Sequence, residues 1–127
     1  MSQLPHSIEL HDSRLSAIER DGEAVRICLT PAYIHRDGKG WTQDVKIVVN
    51  GATVEGEVAG LPATLDDGCM QTPLGPYHNL LNIPFAVNGP IKVELELMSG
   101  EIITIKGNGV EYEFKDAPVF VEELPST

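Results

Sequence analysis

The sequence predicts an all-β protein, an antiparallel β-sandwich or a partly open barrel of about ten short strands. Three observations lead there. Apolar residues recur with period two far more often than with the 3.6-residue period of a helix. The gaps between apolar runs carry Gly, Asn, Asp and Pro, and no segment sustains a helical pattern. Residues facing each other across a hairpin share a face of the sheet, so each turn assignment is checked by whether the apolar faces coincide.

The first hairpin joins a strand over Arg14 to Arg20 with a long one from Glu23 to about Ile34, turning at Asp21-Gly22. A bulged loop matches Ala17 with Val25 and a two-residue turn matches Ile18 with Val25, so the register stays open. Pro31 bends the second strand or makes it an edge, because proline lacks a ladder donor. Residues 35–40, His-Arg-Asp-Gly-Lys-Gly, read as a polar loop before Trp41. Val45, Ile47 and Val49 then alternate up to Asn50-Gly51, which as a type I′ turn pairs Val49 with Ala52, Ile47 with Val54 and Lys46 with Glu55.

Between residues 58 and 90 the alternation weakens, with Pro62, Pro73, Pro76, Pro84 and Pro90 and turn signals at Asp66-Asp67-Gly68 and Asn88-Gly89. One or two short strands are expected inside this excursion, near residues 79–85, since structureless loops longer than about 12–15 residues are uncommon in compact domains. Alternation returns at Val93, Leu95 and Leu97. A two-residue turn at Ser99-Gly100 would mix apolar and polar residues on one face. A three-residue loop, Met98-Ser99-Gly100 with Gly100 left-handed in a bulge, matches Val93 with Ile105 and Leu95 with Ile103. Asn108-Gly109 as a second type I′ turn joins Ile105 to Tyr112 and Ile103 to Phe114, with Lys106 opposite Glu111. With no linker, repeat or low-complexity tract, residues 1–127 read as a single β domain.

Composition narrows function by exclusion. Nineteen acidic residues against nine Lys and Arg give a net charge of -10. Phosphate backbones and anionic lipid repel such a chain, so neither nucleic acid nor a membrane surface is an expected partner. The N-terminus has neither the basic start nor the apolar stretch of a signal peptide, and no run reaches the roughly 18–20 apolar residues of a membrane span. A cytoplasmic protein is expected. Cys28 and Cys69 show no CxxC spacing and are expected as two reduced thiols.

The chemistry-bearing residues form no diagnostic motif. His6, His11-Asp12, His35 with Asp37, and His78 are separate in sequence and lack HExxH spacing, so no metal or other cofactor is expected. Asp12 is expected to close a side-chain turn onto Ser13 or Arg14. Cys69 and His78, with Asn79 or Asn82 orienting the imidazole, share only their place in the excursion; a structural thiol is the reading preferred. Gly38-Lys39-Gly40 lacks the Walker pattern, and Asp66-Asp67-Gly68 lacks the distal Glu of a calcium loop. No catalytic residue is assigned.

Two surfaces remain. His35, Trp41, Tyr77 and His78 sit in segments read as loops, where aromatic side chains would make a ligand-stacking or protein-contact surface if those loops meet. Eight acids fall between Glu94 and Glu123, and the registers above put Glu94, Glu96, Glu111 and Glu113 on one exposed face, either plainly solvated or suited to a basic partner.

The opening Ile8-Glu9-Leu10-His11-Asp12-Ser13-Arg14-Leu15, with the Asp-Gly hairpin after it, resembles small uncharacterised bacterial all-β domains that begin with an apolar-His-Asp-Ser/Ala segment. The resemblance covers about thirty residues and implies bacterial origin and no established activity. Some such domains resemble immunity proteins of toxin systems. The function expected is a non-enzymatic module that binds a basic protein or itself; the alternative is a small-ligand protein or hydrolase-like enzyme with a loop pocket near His35, Trp41, Tyr77 and His78.

Overall fold

The computed structural model describes residues 7–36, 38–56, 61–73, 75–82 and 86–123. Ten strands follow in chain order: β1 (Ser7–Glu9), β2 (Arg14–Asp21), β3 (Ala24–Arg36), β4 (Lys39–Val49), β5 (Thr53–Glu55), β6 (Ala63–Thr72), β7 (Gly75–His78), β8 (Leu80–Asn82), β9 (Ala86–Leu97) and β10 (Ile102–Glu123). All pairings are antiparallel and belong to one sheet, with no helix among the described residues. No helix there is long and apolar enough to cross a membrane.

Six strands return on themselves in the order β2-β6-β9-β10-β4-β3, with β3 pairing back onto β2. The seam between β2 and β6 consists of Arg14 opposite Thr64 and Leu15 opposite Ala63, so the ring is only partly closed. Long strands change neighbours along their length. The first half of β3 pairs with β2 and its second half with β1, while β8 lies on the other side of β1 and β7 hangs on the end of β6. Inward residues of every long strand fill one core, among them Ile8, Leu10, Leu15, Ile27, Leu29, Ile47, Leu65, Met70, Leu95 and Ile105, all with no exposed surface. Burying such side chains contributes roughly 1.5–3 kcal/mol each.

The 98–100 loop has the expected form. Val93 faces Ile105, Leu95 faces Ile103, Gly100 has φ 94°, and the Leu97 amide donates to the Glu101 carbonyl. Other turns fall elsewhere. The first hairpin turns at Gly22-Glu23, with Asp21 opposite Ala24 and Ile18 opposite Ile27, two or three residues from either register considered. Gly22, at φ 63°, occupies the first central position that a Gly-X turn requires. β3 breaks register between Leu29 and Ala32, around Pro31. The polar 35–40 segment is a tight hairpin, with His35 opposite Gly40 and Arg36 opposite Lys39.

Neither Asn50-Gly51 nor Asn108-Gly109 is a hairpin turn. β4 is flanked by β3 and β10, so neither edge is left for a returning strand. Instead β5 continues β4 along β10 in the same register, from Val49 opposite Val110 to Thr53 opposite Lys106. Lys46 therefore faces Glu113 and Cys28 rather than Glu55. Asn108-Gly109 lies inside the 22-residue β10. The two pairs meet: the Asn50 amide donates to the Gly109 carbonyl at 2.9 Å and the Asn108 amide to the Asn50 carbonyl at 2.7 Å. Against β9 the register slips between Asn108 and Val110, where Asn88 and Gly89 of β9 stand opposite Gly109 alone, so the extra residue is on β9 and Gly89 there has φ 116°.

The excursion is more ordered than its composition suggests, holding β6, β7 and β8. Asp66-Asp67-Gly68 lies within β6, where a register slip between Leu65 and Asp67 leaves Asp66 as a bulge, and Asn88-Gly89 lies within β9. Gly68 is covered by Leu10, whose Cδ1 would sit 2.7 Å from any Cβ there, so a residue read as a turn signal is a close-packing site.

Candidate functional site

The four residues assigned to meeting loops lie on strands and make separate contacts. His35 of β3 donates from Nε2 to the Glu9 carboxylate of β1 and meets the Tyr33 ring edge-on at 5.5 Å. Trp41 of β4 stands opposite Phe120 of β10, ring centroids 5.5 Å apart, and its indole N–H donates to the Arg36 carbonyl. Tyr77 packs against the core opposite Met70. His78 is exposed opposite Cys69. His6 and Asp37 lie outside the described residues.

The four glutamates divide into two groups. Glu94 and Glu96 of β9 face Thr104 and Ile102 on one side and Cys69 and Asp67 on the other. Glu111 and Glu113 lie further along β10, opposite Val48 and Lys46. Seven or more residues of β10 separate Thr104 from Glu111, roughly 23 Å of strand. Glu113 accepts from Arg26 at 3.4 Å, Arg26 also reaches Asp21 at 2.6 Å, and Lys46 lies 3.4 Å from Glu19. Glu113 thus joins a set of surface ion pairs, and such pairs contribute little individually.

The first group borders a cleft of about 130 Å³ lined by Asp67, Cys69, His78, Glu94, Glu96 and Ile102. His78 Nε2 lies 3.0 Å from both oxygens of Asp67, and the Cys69 thiol lies 3.9 Å from a Glu94 oxygen. Cys69 and His78 are thus register partners, but the imidazole is turned to Asp67. Its bond, with the Gly68 amide, holds the Asp67 carboxyl below its ordinary range. Burial, followed by the Glu94 and Asp67 carboxylates, pushes the Cys69 thiol up. A nucleophilic cysteine needs the opposite field, so this arrangement favours a protonated thiol. Asn79 orients no imidazole: its side-chain oxygen accepts the His11 backbone N–H. Asn82's side chain lies outside the described residues. Cys28 and Cys69 are both free thiols, Cys28 buried.

His11 and Asp12 form the turn after β1. The Ser13 amide donates to the Leu10 carbonyl with Asp12 at φ 75°, so backbone closes the turn where a side-chain bond from Asp12 was expected. His11 Nδ1 donates to the Asp66 carbonyl at 2.6 Å, which pins the turn to the β6 bulge. That bond, and then the nearby Asp12 carboxylate, raise the His11 pKa.

The surface that sequence reasoning missed is the outer arm of β10. β9 pairs with β10 only as far as Glu111, whereas β4 accompanies it to Glu123. Beyond Glu111 the other edge of β10 has no neighbouring strand among the described residues. Phe114, Val119, Phe120 and Val121 there are 41%, 62%, 51% and 47% exposed. The signal was the run Pro118-Val119-Phe120-Val121, apolar without an alternating partner. The arm is held from behind: the Tyr33 hydroxyl of β3 donates to Glu122 at 2.8 Å.

Fold and surface together define a small all-β protein built on a partly closed antiparallel sheet. No protein-family model, curated protein or solved structure matches the chain.

Proposed function

We propose that the protein is a non-enzymatic binding module that engages another protein through the outer arm of β10, and that this partner is basic. The observation carrying the reading is the exposed Val119-Phe120-Val121 run on a strand whose second edge is open among the described residues. Open backbone N–H and C=O groups template an added strand, and an apolar strip beside them supplies side-chain contact. A net charge of -10 steers a basic partner toward the arm and repels a second copy of the chain. Two free thiols accord with a reducing cytoplasm as the working compartment.

Affinity capture from the source cell tests this with three baits: the natural chain, Val119→Ser/Phe120→Ser, and Glu94→Gln/Glu96→Gln. The expected result is one basic protein recovered by the first and third and lost from the second. Equal recovery by all three overturns the proposal, as does a homodimer in light scattering that the arm substitutions dissolve.

A further inference from the structure

We propose a second, independent site: a groove over β6, β9 and β10 that binds a small organic anion with an apolar body. The groove has a volume of about 570 Å³, inside the roughly 300–1,000 Å³ range of small-molecule sites. Pro73 and Pro90 form its apolar walls, Lys92 and Lys106 supply its charge, and Ile91, which borders it, is itself buried in the core. The register places Gln71, Lys92 and Lys106 in one row across the three strands, with the two lysines directly opposite each other. Like charges in that position are destabilising by themselves. With acids outnumbering bases 19 to 9, an unselected charged neighbour of a lysine here is about twice as often a carboxylate as a cation. Two lysines at one groove make sense when an anion lies between them.

Gly107 borders the groove, and close packing against Asn50 and Val49 excludes a side chain there, since a Cβ would fall 2.5 Å from the Asn50 carbonyl oxygen and from Val49 Cγ1. At the rim Gly89 lies against Pro73, where a Cβ would sit 2.7 Å from the ring. Lys92 has a Glu94 oxygen at 3.7 Å, a loose contact that an incoming carboxylate displaces without breaking a short hydrogen bond. Lysines act as point charges without the fixed fork of arginine, so the headgroup is a compact carboxylate or phosphate and the apolar walls select what it carries.

Octanoate, octanol and inorganic phosphate, each titrated into the ¹⁵N-labelled full chain, separate these contributions. Octanoate is expected to shift the amides of Gln71, Lys92, Lys106 and Gly107, with octanol and phosphate each at least tenfold weaker. Lys92→Gln/Lys106→Gln is expected to weaken octanoate at least tenfold while keeping the dispersed spectrum of the folded chain, and Glu94→Gln to tighten it. The proposal is overturned by absence of octanoate shifts at millimolar concentration, by octanol binding as tightly as octanoate, or by shifts confined to the β10 arm. Val119→Ser/Phe120→Ser should leave octanoate binding unchanged, so the failure of one site is distinguishable from failure of the other.

Discussion

The Tyr33 hydroxyl reaches over Gly40 to bond Glu122, so a side chain of β3 spans β4 and anchors β10, 89 positions later in sequence. Burial, and then the Glu122 carboxylate, push the Tyr33 pKa up to about 12. An unfolded tyrosine ionises near 10. The stabilisation is therefore full below that pH and is lost as pH rises from about 10 through about 12, where the unfolded chain gives up its proton first. Absorbance titration near 295 nm should show Tyr33, identified by its loss in Tyr33→Phe, ionising late, and Glu122→Gln should move it toward 10. An unmoved midpoint in Glu122→Gln would count against the bond.

Gly40 is the second partner in that crossing. Any Cβ on it would overlap the Tyr33 ring and hydroxyl. Gly40→Ala should destabilise the fold by about 1–3 kcal/mol through overpacking, read as a shift in the urea midpoint. Paired with Tyr33→Ala, the same substitution should cost much less, because the obstructing ring is gone. Additive losses would show that the two residues do not touch.

His11 ties the turn after β1 to the Asp66 bulge, and its pKa is raised by that bond and by Asp12. The sign is that of a cation favoured in the folded state. Its contribution is complete below the unfolded value of about 6.5 and disappears as pH climbs through the higher folded value. The stability gap between the natural chain and His11→Asn should therefore be widest near pH 5.5 and narrow by pH 8.5, small throughout because the ring is exposed to solvent. Thermal melts across that range check it; a gap independent of pH contradicts the assignment.

Burial, and then the acidic surroundings of Cys69, predict a sluggish thiol. At pH 7.5 its reaction with Ellman's reagent should be at least about tenfold slower than that of free cysteine, since only the thiolate attacks. Glu94→Gln should speed it, removing the nearer carboxylate. Cys28, buried in β3, should react only on unfolding. Rapid labelling of Cys69 in the folded chain would reopen the case for a nucleophile.

What the sequence reveals depends on whether the deciding contacts are local. The 93–105 hairpin is legible because both strands alternate cleanly and the turn between them admits one register. Asn50-Gly51 and Asn108-Gly109 carry the same local signal, yet what they become is decided by distant neighbours: β3 and β10 already occupy both edges of β4. β6 is hidden because its bulge at Asp66 and its close approach to Leu10 at Gly68 use residues that ordinarily mark turns. The site fares similarly. Spacing cannot say that Cys69 faces His78, that Asp67 claims the imidazole, or that Glu94 and Glu113 belong to different ends of the sheet.

β4 waits for a partner that comes some sixty residues later, since Val45 and Val49 pair with Phe114 and Val110. During synthesis, Ile47 and its neighbours have β3 on one side and nothing on the other until β10, the last of the ten strands, leaves the ribosome. The ring of strands cannot close before then, so native structure forms after translation of residues 102–123, and an incomplete chain exposes the apolar edge of β4. A nascent chain stalled before residue 102 should accordingly be sensitive to protease and bound by chaperones, whereas one with β10 clear of the exit tunnel should resist both.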